Sequence, residues 1–187
     1  MGKIVSFINT TPDGFVDSQY VTPDPEYFAF VHDVLTDIQT VAYGRNTFEL
    51  FQQLWPARLE SGDTPEWQLR MAQALTDIPK LVYSSRLNST TWDNSTILRT
   101  VDVEAMKRFK RADQKGLLTF GSMELVAELT EKQLVDDYYF CIQSLIACGG
   151  SVRLFDKIQL NAPQPLKLRS AKALPSGVVI VHYERAG

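Results

Sequence analysis

Leu117-Leu118-Thr119-Phe120-Gly121-Ser122-Met123-Glu124-Leu125-Val126 joins a strand directly to a helix. Leu117 to Phe120 is a short apolar run of strand length, whereas Leu125, Val126 and Leu129 recur at helical spacing. Gly121-Ser122 is the whole connection. A strand feeding straight into a helix is the unit of a sheet that carries helices on its faces.

The same alternation extends on both sides. Ile4 to Ile8 reads as a strand that breaks at the turn Thr11-Pro12-Asp13-Gly14. Asp24-Pro25 starts a helix, with Asp able to accept from free N–H groups and Pro suited to the first helical position; Phe28, Val31 and Leu35 fill one face. Ile38 to Tyr43 is the next strand, and Asn46 to Leu54 a short helix expected to stop before Trp55-Pro56. Ala57 to Asp63 reads as loop, and Thr64-Pro65 begins a helix with Trp67, Met71 and Leu75 on one stripe. Lys80 to Ser84 and Thr96 to Leu98 are strands, Asp102 opens a helix, and Asp137 to Leu145 is a longer strand. The C-terminal third changes period: Leu166, Leu168 and Ser170 alternate with Lys167 and Arg169, and Val178 to Tyr183 follows Pro175-Ser176-Gly177. That pattern is an antiparallel hairpin. The expected fold is a three-layer α/β domain spanning 1–187, with a mixed, mainly parallel central sheet and a C-terminal antiparallel hairpin.

Composition narrows the chemistry. The 187 residues carry 19 Lys and Arg against 22 Asp and Glu, a formal charge of -3, so the basic excess of a nucleic-acid binder is missing. No polybasic cluster or long apolar run points to a membrane. His32 and His182 are the only histidines, Cys141 and Cys148 the only cysteines, and no CxxC or HExxH occurs, so a metal site is not expected. The two cysteines are read as buried free thiols of a cytoplasmic protein.

Open α/β sheets bind ligands beyond the carboxyl ends of their strands. Three such junctions share small residues, hydroxyl or amide donors, and a cation or a helix start: Gly44-Arg45-Asn46-Thr47, Ser84-Ser85-Arg86 and Gly121-Ser122-Met123. Glycine permits close backbone approach, helix N-termini attract anions, and arginine grips phosphate oxygens by paired bonds. Singly, each has a plainer reading: Gly44 ends a strand, Arg45 pairs with a surface carboxylate, Ser122 caps its helix. Together along one sheet edge they suit a ligand with several phosphates. Neither GxGxxG nor GxxxxGK[ST] occurs, so the phosphates must be held in another way.

These residues resemble a family. Lys3–Ile8 leading into Thr11-Pro12-Asp13-Gly14-Phe15, then Gly44-Arg45-Asn46-Thr47-Phe48-Glu49, Leu54-Trp55-Pro56, Pro79-Lys80-Leu81-Val82-Tyr83-Ser84-Ser85-Arg86, Gly121-Ser122 and Gly149-Gly150-Ser151-Val152-Arg153-Leu154-Phe155 are similar to the dihydrofolate-reductase-like fold. The closer match is the reductase domain of the bifunctional riboflavin-biosynthesis deaminase–reductases and its stand-alone relatives. The resemblance implies an NADPH-binding reductase that acts on a small molecule and often pairs as a homodimer. Arg45 and Thr47 would hold phosphates, Ser84, Ser85 and Arg86 would sit near the adenosine 2′-phosphate, and Gly121, Ser122 and Met123 would line the pyrophosphate and nicotinamide. The stretch Val21-Thr22-Pro23-Asp24-Pro25-Glu26 lacks the W-x-x-P-x-D-L pattern of folate enzymes, which favours general hydride transfer over dihydrofolate reduction proper. No P-C-x-x-C deaminase signature occurs.

A hydride enzyme still needs a proton at its substrate. Asp13 is the first candidate donor, with a simple turn residue as the alternative. Asp24 reads as a helix cap, His32 and His182 as structural or exposed, and Trp55 as a pocket wall or a helix anchor. A non-catalytic NADP(H)-binding protein is the reading from another class.

Overall fold

The computed structural model describes residues 2–22 and 24–186. Eight strands form one sheet: β1 (Ile4–Thr10), β2 (Ile38–Gly44), β3 (Lys80–Tyr83), β4 (Ser95–Leu98), β5 (Gly116–Phe120), β6 (Asp137–Ile142), β7 (Leu166–Ala173) and β8 (Val179–Arg185). Their order across the sheet is β4-β3-β2-β5-β1-β6-β8-β7. The first six run parallel, and β8 and β7 are added antiparallel as a hairpin. The helices are α1 (Pro25–Leu35), α2 (Arg45–Glu60), α3 (Glu66–Asp77), α4 (Val103–Arg111) and α5 (Met123–Glu131).

Alternation along each strand divides the core in two. Val5, Phe7, Val41, Tyr43 and Leu118 point to one side and meet buried residues of α1, α2 and α3, among them Val31, Phe48 and Met71. Ile4, Ala42 and Leu117 point to the other and meet Met106 of α4 and Leu125 and Leu129 of α5. This gives the expected three layers, with the dihydrofolate-reductase-like strand order placing the antiparallel hairpin at one edge.

Lys80 is an unusual core member. Its chain is buried, and its ammonium donates to the carbonyls of Leu75, Thr76 and Ile78 at 2.9, 2.8 and 2.8 Å. It thereby satisfies the carbonyls that the end of α3 leaves open. Burial pushes its pKa down to about 8, opposed by Asp77 and Asp93.

Three local expectations are corrected. Helix α2 does not stop before Trp55-Pro56 but runs through Pro56 to Glu60, which shortens the expected loop at 57–63. Proline inside a helix costs about 3 kcal/mol. Trp55, only 6% exposed and packed edge-on against Phe28 and Phe51, supplies apolar burial that offsets it. Strand β6 ends at Ile142 rather than Leu145, because Gln143 turns inward to bond with Asn9 and Thr22. Of the two thiols, Cys141 is buried as expected but Cys148 is exposed, since it lies in the irregular chain after β6.

Candidate functional site

The carboxyl ends of β2 and β5 lie side by side at the middle of the sheet and launch α2 and α5. There the Gly44 N–H donates to Ser122 Oγ at 3.0 Å. Ser122 has φ 54° and ψ 53°, a left-handed conformation, and makes no capping bond to its own helix. Its oxygen is instead spent across the sheet edge. Gly121 is also left-handed, at φ +49°, and a methyl placed on it would lie 3.9 Å from Thr47 Oγ1. The Gly121 N–H is tied to the Phe7 carbonyl at 3.0 Å, which fixes this corner to β1. Gly44, Thr47, Gly121 and Ser122 are thus brought together, with Met123 following as the first residue of α5.

Side-chain capping separates this corner from the starts of α1 and α4, though not from that of α3, which is also uncapped. Asp24 caps α1 by accepting from Tyr27 N–H at 2.8 Å, and Asp102 caps α4 by accepting from Ala105 N–H at 2.9 Å. No side chain caps α2 or α5. Two adjacent helix N-termini therefore present free N–H groups and the positive ends of their dipoles to the same space, which is what an anionic ligand requires.

The third corner adjoins them, since β3 pairs with β2 in a register that places Tyr83 beside Gly44. Ser84 is buried there, and its Oγ accepts from the N–H groups of Arg86 and Leu87 at 3.1 and 2.9 Å. It shapes the turn that leaves Ser85 and Arg86 exposed. Among the described residues the Arg86 guanidinium has no carboxylate partner, whereas Arg45 is engaged by Glu49 Oε2 at 2.8 Å. The sequence reading missed Arg99, which follows β4 and donates to the carbonyls of Ser84 and Leu87 at 2.9 and 2.7 Å and to Asn88 Oδ1 at 3.1 Å. Only the pairing of β4 with β3 reveals that role, because the two segments are separated by a loop with no periodic pattern.

Asp13 lies on the loop after β1. Its two carboxylate oxygens accept from the N–H groups of Ala147 and Cys148 at 3.0 and 3.1 Å. These bonds, Ala147 foremost, hold its pKa below the ordinary carboxylate value. Asp17 repeats the arrangement, accepting from Ser151 N–H at 2.9 and 3.1 Å and from Val152 N–H at 3.3 Å. Desolvation pushes the Asp17 carboxyl up, but the Ser151 and Val152 bonds outweigh it and the net shift is downward. The loops 11–20 and 144–155 are further joined by Val16 N–H to the Val152 carbonyl, Leu154 N–H to the Gly14 carbonyl, and the Arg153 guanidinium over the Phe15 ring at 4.4 Å. Gly150 permits this contact: a methyl there would lie 2.5 Å from both Asp17 Oδ2 and Phe15 Cδ1.

A second feature missed in the sequence lies just inside that loop pair. Asn9 Nδ2 donates to Tyr27 OH at 2.9 Å, and Gln143 Nε2 donates to Asn9 Oδ1 at 3.2 Å. Gln143 Oε1 in turn accepts from Thr22 N–H at 2.9 Å. The visible signal was a polar residue near the carboxyl end of each of two apolar strands, Asn9 in β1 and Gln143 just after β6. Asp24 is a cap as read, and Trp55 is a buried anchor in an aromatic cluster. His182 lies far along β8, bonded to Asp137 at 2.6 Å and stacked on Tyr139 with ring centres 4.2 Å apart.

Comparison with known proteins supplies context for this edge. A curated relative, the uncharacterized protein YyaP of Bacillus subtilis (strain 168), is 25% identical over 192 residues, covering 99% of this chain and 96% of its own. Among solved structures, a putative riboflavin biosynthesis protein from Shewanella sp. PV-4 superposes with a TM-score of 0.73 at 16% identity, with 99% of each chain covered. A dihydrofolate reductase from Enterococcus faecalis, complexed with NADP(H), superposes with a TM-score of 0.61 at 12% identity over 100% of this chain and 98% of that one. These likenesses agree in fold with the strand order described above, and the sequence itself carries the pattern of one family over residues 3–180. On that match, this chain belongs to the RibD C-terminal domain family.

Proposed function

We propose that the chain is an NADPH-dependent reductase that passes a hydride to a small cytosolic molecule of the riboflavin-pathway, pterin-like or carbonyl class. The family makes an oxidoreductase the general expectation. The observation that carries the finer reading is the bridge between Gly44 and Ser122, which sets two uncapped helix N-termini together. The residues present fit a dinucleotide. Thr47 and the first turns of α2 and α5 would receive the pyrophosphate, and Arg86, unpaired among the described residues, would receive the 2′-phosphate. Arg99 would hold the Ser84–Asn88 turn in shape for it. Arg45 must leave Glu49 to take part, or serve only to position α2.

The nicotinamide, when bound, supplies the hydride. The chain's own part is to bind, orient and exclude water. Asp13 suits the last two tasks better than proton donation, because a carboxylate fastened by two N–H donors favours its ionised form. We therefore read Asp13 as the fastener of loop 144–155 beside the site and assign the substrate proton to water. The second reading, a protein that binds NADP(H) without turnover, draws on the same observation. Oxidation of NADPH, followed at its near-ultraviolet absorbance with riboflavin-pathway intermediates, pterins and carbonyls, separates the two. Turnover of any member supports the reductase; saturable NADPH binding without turnover of any member supports the binder.

A further inference from the structure

The polar residues near the ends of β1 and β6 form a hydrogen-bond chain whose direction is fixed at its origin. Thr22 supplies a backbone N–H, which can only donate, so the Gln143 side chain turns its Oε1 toward it at 2.9 Å. That leaves Gln143 Nε2 to donate to Asn9 Oδ1 at 3.2 Å, and Asn9 Nδ2 to donate to Tyr27 OH at 2.9 Å. Every link points the same way. The Tyr27 oxygen therefore accepts, and its own hydrogen is left over: among the described residues no acceptor meets it. An aligned chain of this kind polarises its last member and strengthens the bond that member can donate. A buried donor left without a partner is costly, so a ligand that accepts from it gains by doing so.

The leftover donor lies at the ligand end of the sheet. Tyr27 stands in the first turn of α1 and is 4% exposed, while Asn9 is half-buried. The Phe7 carbonyl, two residues before Asn9, receives the Gly121 N–H, which puts Asn9 about 7 Å along β1 from the point where the corner of helix starts is tied. The Phe7 ring meets both Tyr27 and Phe120, with ring centres 6.1 and 5.6 Å away. Burial pushes the Tyr27 phenol pKa up, Cys141 and Asp24 add to the rise and the Asn9 bond opposes it, so the hydroxyl keeps its hydrogen and serves as a donor rather than an acid. The Asp24 carboxylate beside it repels an anion. A cation brings hydrogens and no lone pair, so it cannot accept from Tyr27. We infer that Tyr27 is the substrate-binding donor of this site and selects an uncharged carbonyl oxygen, with Asn9 and Gln143 as the positioning residues that aim it. The inference rests on the reductase reading for the claim that this end of the sheet meets the substrate.

Benzamide, benzoate and benzamidinium share one shape and offer a neutral carbonyl, an anion and a cation in turn. Ligand-observed NMR titration of the whole chain, with probe up to about 10 mM so that millimolar binding is seen, tests the inference without need of turnover. Wild type is expected to bind benzamide about tenfold tighter than the other two, the scale of one hydrogen bond. Tyr27→Phe, which keeps the ring in its packing, is expected to lose about tenfold for benzamide with NADPH affinity unchanged. Asn9→Asp keeps the shape but can only accept, so it takes the Tyr27 hydrogen for itself. It is expected to lose benzamide as Tyr27→Phe does and to gain benzamidinium. A chain that served only the fold would lower the thermal melt of both variants and leave the order of the three probes as in wild type. NADPH titration of the same samples reads the reductase separately: a wild type that binds the probes in the expected order but binds no NADPH upholds the donor and overturns the reductase reading. Equal benzamide affinity in wild type and Tyr27→Phe, the wild-type order retained in Asn9→Asp, or a wild type that binds no benzamide overturns the inference.

Discussion

Gly44 and Ser122 stand 78 residues apart in sequence and are joined by one hydrogen bond of 3.0 Å. That bond ties the start of α2 to the start of α5. It also removes Ser122 from the capping role its place in the chain suggests, leaving the N–H groups of α5 to a ligand. The prediction is that Ser122→Ala weakens NADPH binding about tenfold, the scale of one lost hydrogen bond at a phosphate site. Isothermal titration checks it, and a variant that binds as tightly as the wild type removes the bridge from the account.

Asp13 and Asp17 fasten loop 144–155 through ionised carboxylates whose pKa values are lowered in the folded protein. A lowered carboxylate contributes stability above its unfolded value, about 3.9, and loses it as pH falls through the folded value. Protection of the Ala147, Cys148 and Ser151 amides, taken as exchange relative to the intrinsic rate at each pH, should therefore be high at neutral pH and fall below about pH 4, ahead of the sheet. Asp13→Asn should quicken Ala147 and Cys148 at neutral pH and raise KM more than it lowers kcat. Complete loss of kcat with intact loop protection would restore Asp13 as proton donor.

Gly150 has no room for a side chain on the face toward Phe15 and Asp17. Gly150→Ala is expected to push the two loops apart and destabilise the protein by about 1–3 kcal/mol, the scale of overpacking. A thermal melt gives the stability, and exchange at Ser151 and Val152 locates the damage. An unchanged melt contradicts the close contact.

Lys80 illustrates a different pH dependence. Its pKa is about 8 in the folded chain and ordinary when unfolded. The unfolded chain then holds more protons between these values, so this group makes stability rise with pH from about 8 to about 10.4. Lys80→Met removes that rise and leaves the carbonyls of Leu75, Thr76 and Ile78 without their shared donor. Chemical denaturation at about pH 7.5 and about pH 9.5, on either side of most of the Lys80 titration, should show the slope in wild type and none in the variant.

Much of the fold was legible because local signals agreed with global ones. Strands β1, β2 and β5 are short apolar runs that end at Thr11-Pro12, Gly44 and Gly121, and α1 announces itself by Asp24-Pro25. The hairpin was visible in the change of period at Leu166. What the chain hid was tertiary. Pro56 reads as a stop, and only the burial of Trp55 against Phe28 explains why α2 continues. At the candidate site, the glycines and Arg86 were readable as types, because close backbone approach and phosphate binding call for those types. The bond between Gly44 and Ser122, the service of Arg99 to the Ser84 turn, and the fastening of residues 147–152 by Asp13 and Asp17 depend on which strands become neighbours. Sequence periodicity carries no such information.

The central claim is that this edge binds a dinucleotide through its 2′-phosphate. Parallel titration of wild type and Arg86→Ala with NADPH and NADH measures it. The account predicts that wild type prefers NADPH and that Arg86→Ala loses about 10- to 100-fold for NADPH, the scale of a charged hydrogen bond, with NADH affinity unchanged. Equal affinity of the wild type for the two nucleotides would contradict the 2′-phosphate assignment, and binding of neither would contradict the reductase itself.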